Sequence, residues 1–183
     1  MGKAIIVLDY IKDIASENGK LATKGYYNFI KENNVIVNLT KDLEHAKNNG
    51  WKVIFVKVSF KENYEDQPKN SPLFGKANEF EVLKSNSFGV EFIEELSSFK
   101  PDLVLIKNRV SAFSNKDLIN YLKLNDIKDL YLAGVATDLA VLSTAFDAHD
   151  SDFNVTILSK SCAAANKEDH ENALTIMSKF SKI

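Results

Sequence analysis

Leu132-Ala133-Gly134-Val135-Ala136-Thr137-Asp138-Leu139-Ala140-Val141-Leu142-Ser143-Thr144-Ala145 is the stretch that decides the reading of this chain. An apolar run from Leu130 to Val135 enters a turn containing Gly134. A helix then opens at Thr137 or Asp138, either of which can cap it. A buried strand that delivers a helix N-terminus leaves backbone N–H groups without intrahelical partners, facing whatever lies beyond the strand end. The stretch is thus at once a buried strand and the edge of a site.

Outward from it, short β-rich runs alternate with helical patterns, the signature of βα units and a parallel sheet. The spacing predicts strands at Ala4–Leu8, Lys52–Val58, Leu103–Ile106, Leu130–Ala133 and Asn154–Leu158. Most are near-continuous apolar runs, as strands covered on both faces should be. A helix is predicted from about Glu32 to Asn48, with Val35, Ile36, Leu39, Leu43 and Ala46 as its stripe and Asn48-Asn49-Gly50 as its stop. A second fits Asn115–Leu124 behind Ser114 as N-cap, and a third runs from Thr137 to about His149. The last spans Lys167–Lys179, capped by Asn166, with Ala173, Ile176, Met177 and Phe180 inward. Glu62–Asn86 has no clear period, holds two of the three prolines and mixes charges with Tyr64, Phe74 and Phe80. A stretch of that length is expected to serve as a lid or wall.

At 183 residues the chain reads as one domain over 1–183, with 45% hydrophobic and 26% charged residues, a balance that argues against disorder. A formal net charge of −2 gives no electrostatic reason to expect nucleic acid. The N-terminal apolar run, Ala4–Leu8, is cut off by Asp9 and is too short for a signal peptide or a membrane span, so a cytoplasmic protein with no membrane partner is expected. A single cysteine, Cys162, excludes an intramolecular disulfide and a multi-cysteine zinc site.

Three strands end in groups that can do chemistry. Asp9 follows the first, Lys107 the third, and the Gly134–Ala140 turn the fourth. Either charge alone has a plain reading, as a turn aspartate or a solvated lysine. Together they lie on one rim, where open parallel sheets bind ligands. A buried carboxylate beside an ammonium keeps both charged, because each offsets the other's desolvation.

Ile6-Val7-Leu8-Asp9, Lys107-Asn108-Arg109-Val110-Ser111-Ala112-Phe113, the turn at 134–140, and Cys162-Ala163-Ala164-Ala165 with His170 and Ala173-Leu174 occur in that order. In order and spacing they resemble the blocks of the isochorismatase-like hydrolases, over essentially the whole chain. The resemblance implies a doubly wound α/β sandwich, a mostly parallel sheet with helices on both faces. It implies Asp9 as the proton-transfer carboxylate and Lys107 between it and the nucleophile position. It implies an oxyanion hole from the N–H groups of Ala136 and Ala140, and a non-proline cis bond at Val135–Ala136. It also implies a small-molecule substrate and a homodimer or larger homo-oligomer. Tyr10, Phe60, Tyr64 and Phe113 are expected to contact the substrate, with Arg109 able to shape the same pocket.

The chain departs from the family at three places. Ala140 occupies the position usually held by a nucleophilic cysteine, and a methyl group cannot attack a carbonyl. Nicotinamidases of this superfamily carry an aspartate and two histidines after the second strand. Ser59–Pro72 contains no histidine, so neither metal nor other cofactor is expected. Tyr10-Ile11-Lys12-Asp13 replaces the Gln or Asn that often follows the first aspartate. Cys162 reads as a small hydrophobe, and His149 and His170 as helix-packing residues. Three functions stay open: an amide or ureide hydrolase with alanine in place of cysteine, a nucleophile-free hydrolase using Asp9 as acid, and a binding pseudoenzyme.

Overall fold

The computed structural model describes residues 2–183. Five strands, β1 (Gly2–Leu8), β2 (Lys52–Val58), β3 (Leu103–Lys107), β4 (Ile127–Val135) and β5 (Asn154–Ala163), form one sheet in the order β3-β2-β1-β4-β5. Every pairing is parallel. The chain winds outward from β1 through β2 to β3, then returns to lay β4 on the other side of β1. Direction therefore reverses between β1 and β4, and a crevice opens there beyond the carboxyl ends of the strands.

Alternation within β1 builds both cores. Ile5 and Val7 face helices α1 (Lys12–Ala15), α2 (Tyr26–Glu32) and α3 (Val35–Asn48), where Phe29, Ile30, Leu39 and Leu43 are buried. Ala4, Ile6 and Leu8 face α4 (Lys116–Leu124), α5 (Leu142–Asp150) and α6 (Lys167–Met177), where Leu118, Leu122, Ala145 and Met177 are buried. The result is the doubly wound sandwich. Gly134 sits opposite Leu8 in the register, and a Cβ there would lie 2.6 Å from Leu8 Cβ and 3.1 Å from Val141 Cγ2. Glycine is what lets β4 and the following helix close onto β1.

Several local expectations change. The helix predicted from about Glu32 starts at Val35, because Asn34 at φ 52° turns the chain between α2, which ends at Glu32, and α3. Asn115, not Ser114, caps α4, its side chain accepting from Asp117 N, while Ser114 closes a 3-10 turn at Ala112–Ser114. Cys162 lies inside β5 rather than after it. Of the α6 stripe, Ile176 is exposed. β3 is an edge strand, so Val104 and Ile106 point to an open face while Leu105 and Lys107 are buried. No helix among the described residues is long and apolar enough to cross a membrane.

Candidate active site

The backbone turns sharply as β1 ends. Asp9 has φ 58°, a left-handed conformation that aspartate tolerates better than most residues, and its carbonyl accepts from Ile11 N at 2.8 Å. This aims its side chain at the next strands instead of along the sheet face. Oδ1 accepts from Val58 N at 2.6 Å and Oδ2 from Lys107 Nζ at 2.7 Å. Both residues are 3% exposed. Lys107 also reaches Arg109 O at 3.2 Å. Burial pushes the Asp9 carboxyl above its usual range, and the Lys107 ammonium and the Val58 N–H pull it back only in part.

Across the switch point, β4 ends in a cis bond between Val135 and Ala136. The following turn, Thr137–Val141, is wound as a π-helix before α5 begins. The expected cap by Thr137 or Asp138 is not made: Ala136 O accepts from both Leu139 N (3.2 Å) and Val141 N (3.1 Å). Thr137 Oγ1 instead bonds His170 Nδ1 at 2.8 Å, tying α6 to the turn. Among the described residues the Ala136 N–H has no acceptor outside the strand ladder. Ala140 lies one turn further, 4% exposed.

Asp9, Lys107, Ala136 and Ala140 share a cavity of about 470 Å³, a size suited to a small molecule. Its opposite wall comes from the segment without sequence period. Phe74, Ala77, Phe80, Val82 and Leu83 line it, joined by Leu21 from the loop before α2 and Tyr26 from its first turn. The wall is anchored by polar groups the sequence did not mark. Asp13, buried, accepts from Leu83 N at 2.8 Å, and Lys20 Nζ donates to Glu81 O at 2.8 Å. Gln67 Nε2 donates to Phe74 O at 2.8 Å.

The four expected substrate contacts lie elsewhere. Tyr10 is fully buried with its hydroxyl donating to Ser161 O at 2.7 Å, because the turn at Asp9 sends the next side chain into the core. Phe60 is fully buried behind Phe74, ring centroids 5.4 Å apart. Tyr64 donates to Val82 O at 3.0 Å and so braces the wall from behind. Phe113 packs on Phe153 in the other core. Arg109 bonds the Asn108 and Asp66 carbonyls, outside the cavity.

Beyond β2 stand Ser59, whose buried hydroxyl has no partner among the described residues, and the buried ring of Phe60. No three His, Cys, Asp or Glu side chains among the described residues gather into a metal set. One hydroxyl beside a phenyl ring does not fit a divalent metal there. Cys162 is 1% exposed, and burial pushes its thiol up to about 12, so it is no nucleophile at neutral pH.

A model of the isochorismatase domain matches residues 3–183. The uncharacterized isochorismatase family protein PncA of Bacillus subtilis strain 168 is 33% identical over 177 residues, 96% of this chain and 93% of that protein. The ureidoacrylate amidohydrolase RutB of Acinetobacter baylyi is 28% identical over 182 residues, 93% of this chain and 74% of that one. The crystal structure of nicotinamidase PncA from Bacillus subtilis superposes with a TM-score of 0.77 at 32% identity, covering 100% of this chain and 99% of that one. With its fold, its rim of strand-end groups and these matches along its length, the chain belongs to the isochorismatase family of hydrolases.

Proposed function

We propose that this site is built for attack on the carbonyl of a small amide or ureide, and that the chain as written holds such a substrate without completing the covalent step. The observation that carries the reading is the placement of Ala140: its methyl group shares the floor of the cavity with a buried carboxylate–ammonium pair. With a thiol at that position, the thiol proton passes to Asp9 as sulfur bonds to the carbonyl carbon. The π electrons move to oxygen, where the N–H groups of Ala136 and Ala140 receive the charge. Collapse expels the amine, which takes the proton from Asp9, and water then cleaves the thioester. Lys107 keeps Asp9 ionised for the first transfer. Alanine stops the sequence before its first bond.

A second reading has one observation in its favour. The raised Asp9 carboxyl suits a general acid, which would protonate a vinyl ether with no protein nucleophile. The test is to assay the chain as written and its Ala140→Cys variant, each with and without Asp9→Asn, on small amides, ureides and isochorismate. Amide or ureide cleavage by Ala140→Cys alone, abolished by Asp9→Asn, supports the proposal. Vinyl ether cleavage by the Ala140 form, also lost with Asp9→Asn, supports the second reading. Binding without turnover in every form leaves a pseudoenzyme and refutes both for that panel.

A further inference from the structure

The cavity lining has a lopsided charge. Among the described residues its only carboxylate is Asp9, whose charge Lys107 meets at 2.7 Å. Two further lysines, Lys24 and Lys76, both exposed, line the same cavity. In a chain of net charge −2, this lining thus carries two positive charges more than the Asp9–Lys107 pair balances. Among the described residues neither ammonium makes an ion pair or a hydrogen bond, whereas nearby Lys20 is occupied by backbone carbonyls.

Both lysines stand on constrained backbone. Lys24 precedes Gly25, at φ 101°, where a Cβ would collide with the Ala165 carbonyl oxygen. Lys76 lies between buried Phe74 and buried Ala77, and its carbonyl accepts from Phe80 N at 3.2 Å. Tyr26 lines the cavity next to Lys24, and its hydroxyl has no partner among the described residues. Burial and the nearby Asp138 and Asp169 raise its pKa, which keeps it a donor. The remaining wall, including Leu21, Phe74 and Leu83, is apolar and strengthens the field that an entering anion feels.

We propose that Lys24 and Lys76 form a carboxylate subsite, with Tyr26 as a third donor. The substrate class is then a small amide or ureide bearing an anionic end, its carbonyl toward Asp9 and Ala140. The assignment rests on reading the floor as an amide-cleaving site. It sorts the substrates that floor could take: neutral amides of similar size leave both ammoniums without a partner.

The test uses equilibrium binding to the chain as written, by calorimetry at low ionic strength. Probes are N-carbamoylglycine, N-carbamoyl-β-alanine and the next homologue, each beside its methyl ester, which keeps the ureide and removes the charge. Exposed ammonium–carboxylate contacts contribute up to about fivefold each, so with both engaged at least one acid should bind about tenfold more tightly than its ester. That ratio should fall toward one in Lys24→Met/Lys76→Met and in high salt. The proposal is overturned if no acid binds more tightly than its ester, or if the ratio survives the double substitution. Turnover by Ala140→Cys separates the two claims. Equal cleavage of acid and ester keeps the floor and removes the subsite. Lysine-dependent binding of the acid without cleavage of either keeps the subsite and removes the floor.

Discussion

Lys107→Met isolates the interaction on which the site is built. The substitution removes an ammonium 2.7 Å from Asp9 Oδ2 and leaves a carboxylate that is 3% exposed. Stripping one partner from a buried ion pair costs about 3–5 kcal/mol when the other stays charged. The Val58 N–H stays on Oδ1 at 2.6 Å, which places the loss near the lower end. The carboxyl has an alternative, which is to take a proton. Its pKa, already raised by burial, then rises further, because the ammonium that pulled it back is gone. The folded value lies further above the unfolded one, so the loss is small at acid pH, where the carboxyl is protonated in both states, and grows as the pH rises through the folded value. Urea unfolding should show a deficit of about 3 kcal/mol at pH 8 and a smaller one at pH 5. Asp9→Asn in the same chain should restore most of it. A deficit equal at both pH values, or below about 1 kcal/mol at pH 8, would refute the reasoning.

Other consequences follow from the same geometry. In the Ala140→Cys variant, activity needs ionised Asp9, whose pKa is raised by burial. The acid limb of kcat/KM should therefore lie above the ordinary aspartate range, with activity falling as the pH drops through it, and a limb at or below about 3.9 would contradict the burial argument. Asp13→Ala strips the acceptor from Leu83 N, so stability should fall by about 1–3 kcal/mol and ligand affinity should weaken as the wall loosens, both read by ligand-dependent melting. Cys162, its thiol pushed up to about 12, should resist a thiol reagent at pH 8 in the folded chain and react fully in denaturant.

How much was legible in the sequence depended on how far each residue sat from a regular element. The strands were readable because parallel strands buried on both faces are written as unbroken apolar runs, and Lys52–Val58 has the same limits in the structure. Asp9 and Lys107 stood out because each ends such a run. The side chains just past the strand ends were not readable. Tyr10 follows a left-handed residue, so strand alternation no longer says which way it points. Phe60 lies beyond β2 and packs behind the wall instead of on the cavity. The wall had no period to read: Tyr64, Glu81, Leu83 and Asn86 all take positive φ, and its folding depends on distant partners such as Asp13. Lys24 and Lys76 look like any solvated lysines until the topology sets them around one cavity.

On the proposed reading, Ala140 occupies the place from which a thiol would attack. The most direct measurement is intact-protein mass spectrometry of Ala140→Cys, quenched in acid within the first turnover of a ureide or amide that the chain binds. An added acyl mass should map to position 140, be released with time at neutral pH and be absent from the chain as written. Product formation by Ala140→Cys with no adduct at that position, or an adduct on Cys162 instead, would contradict it.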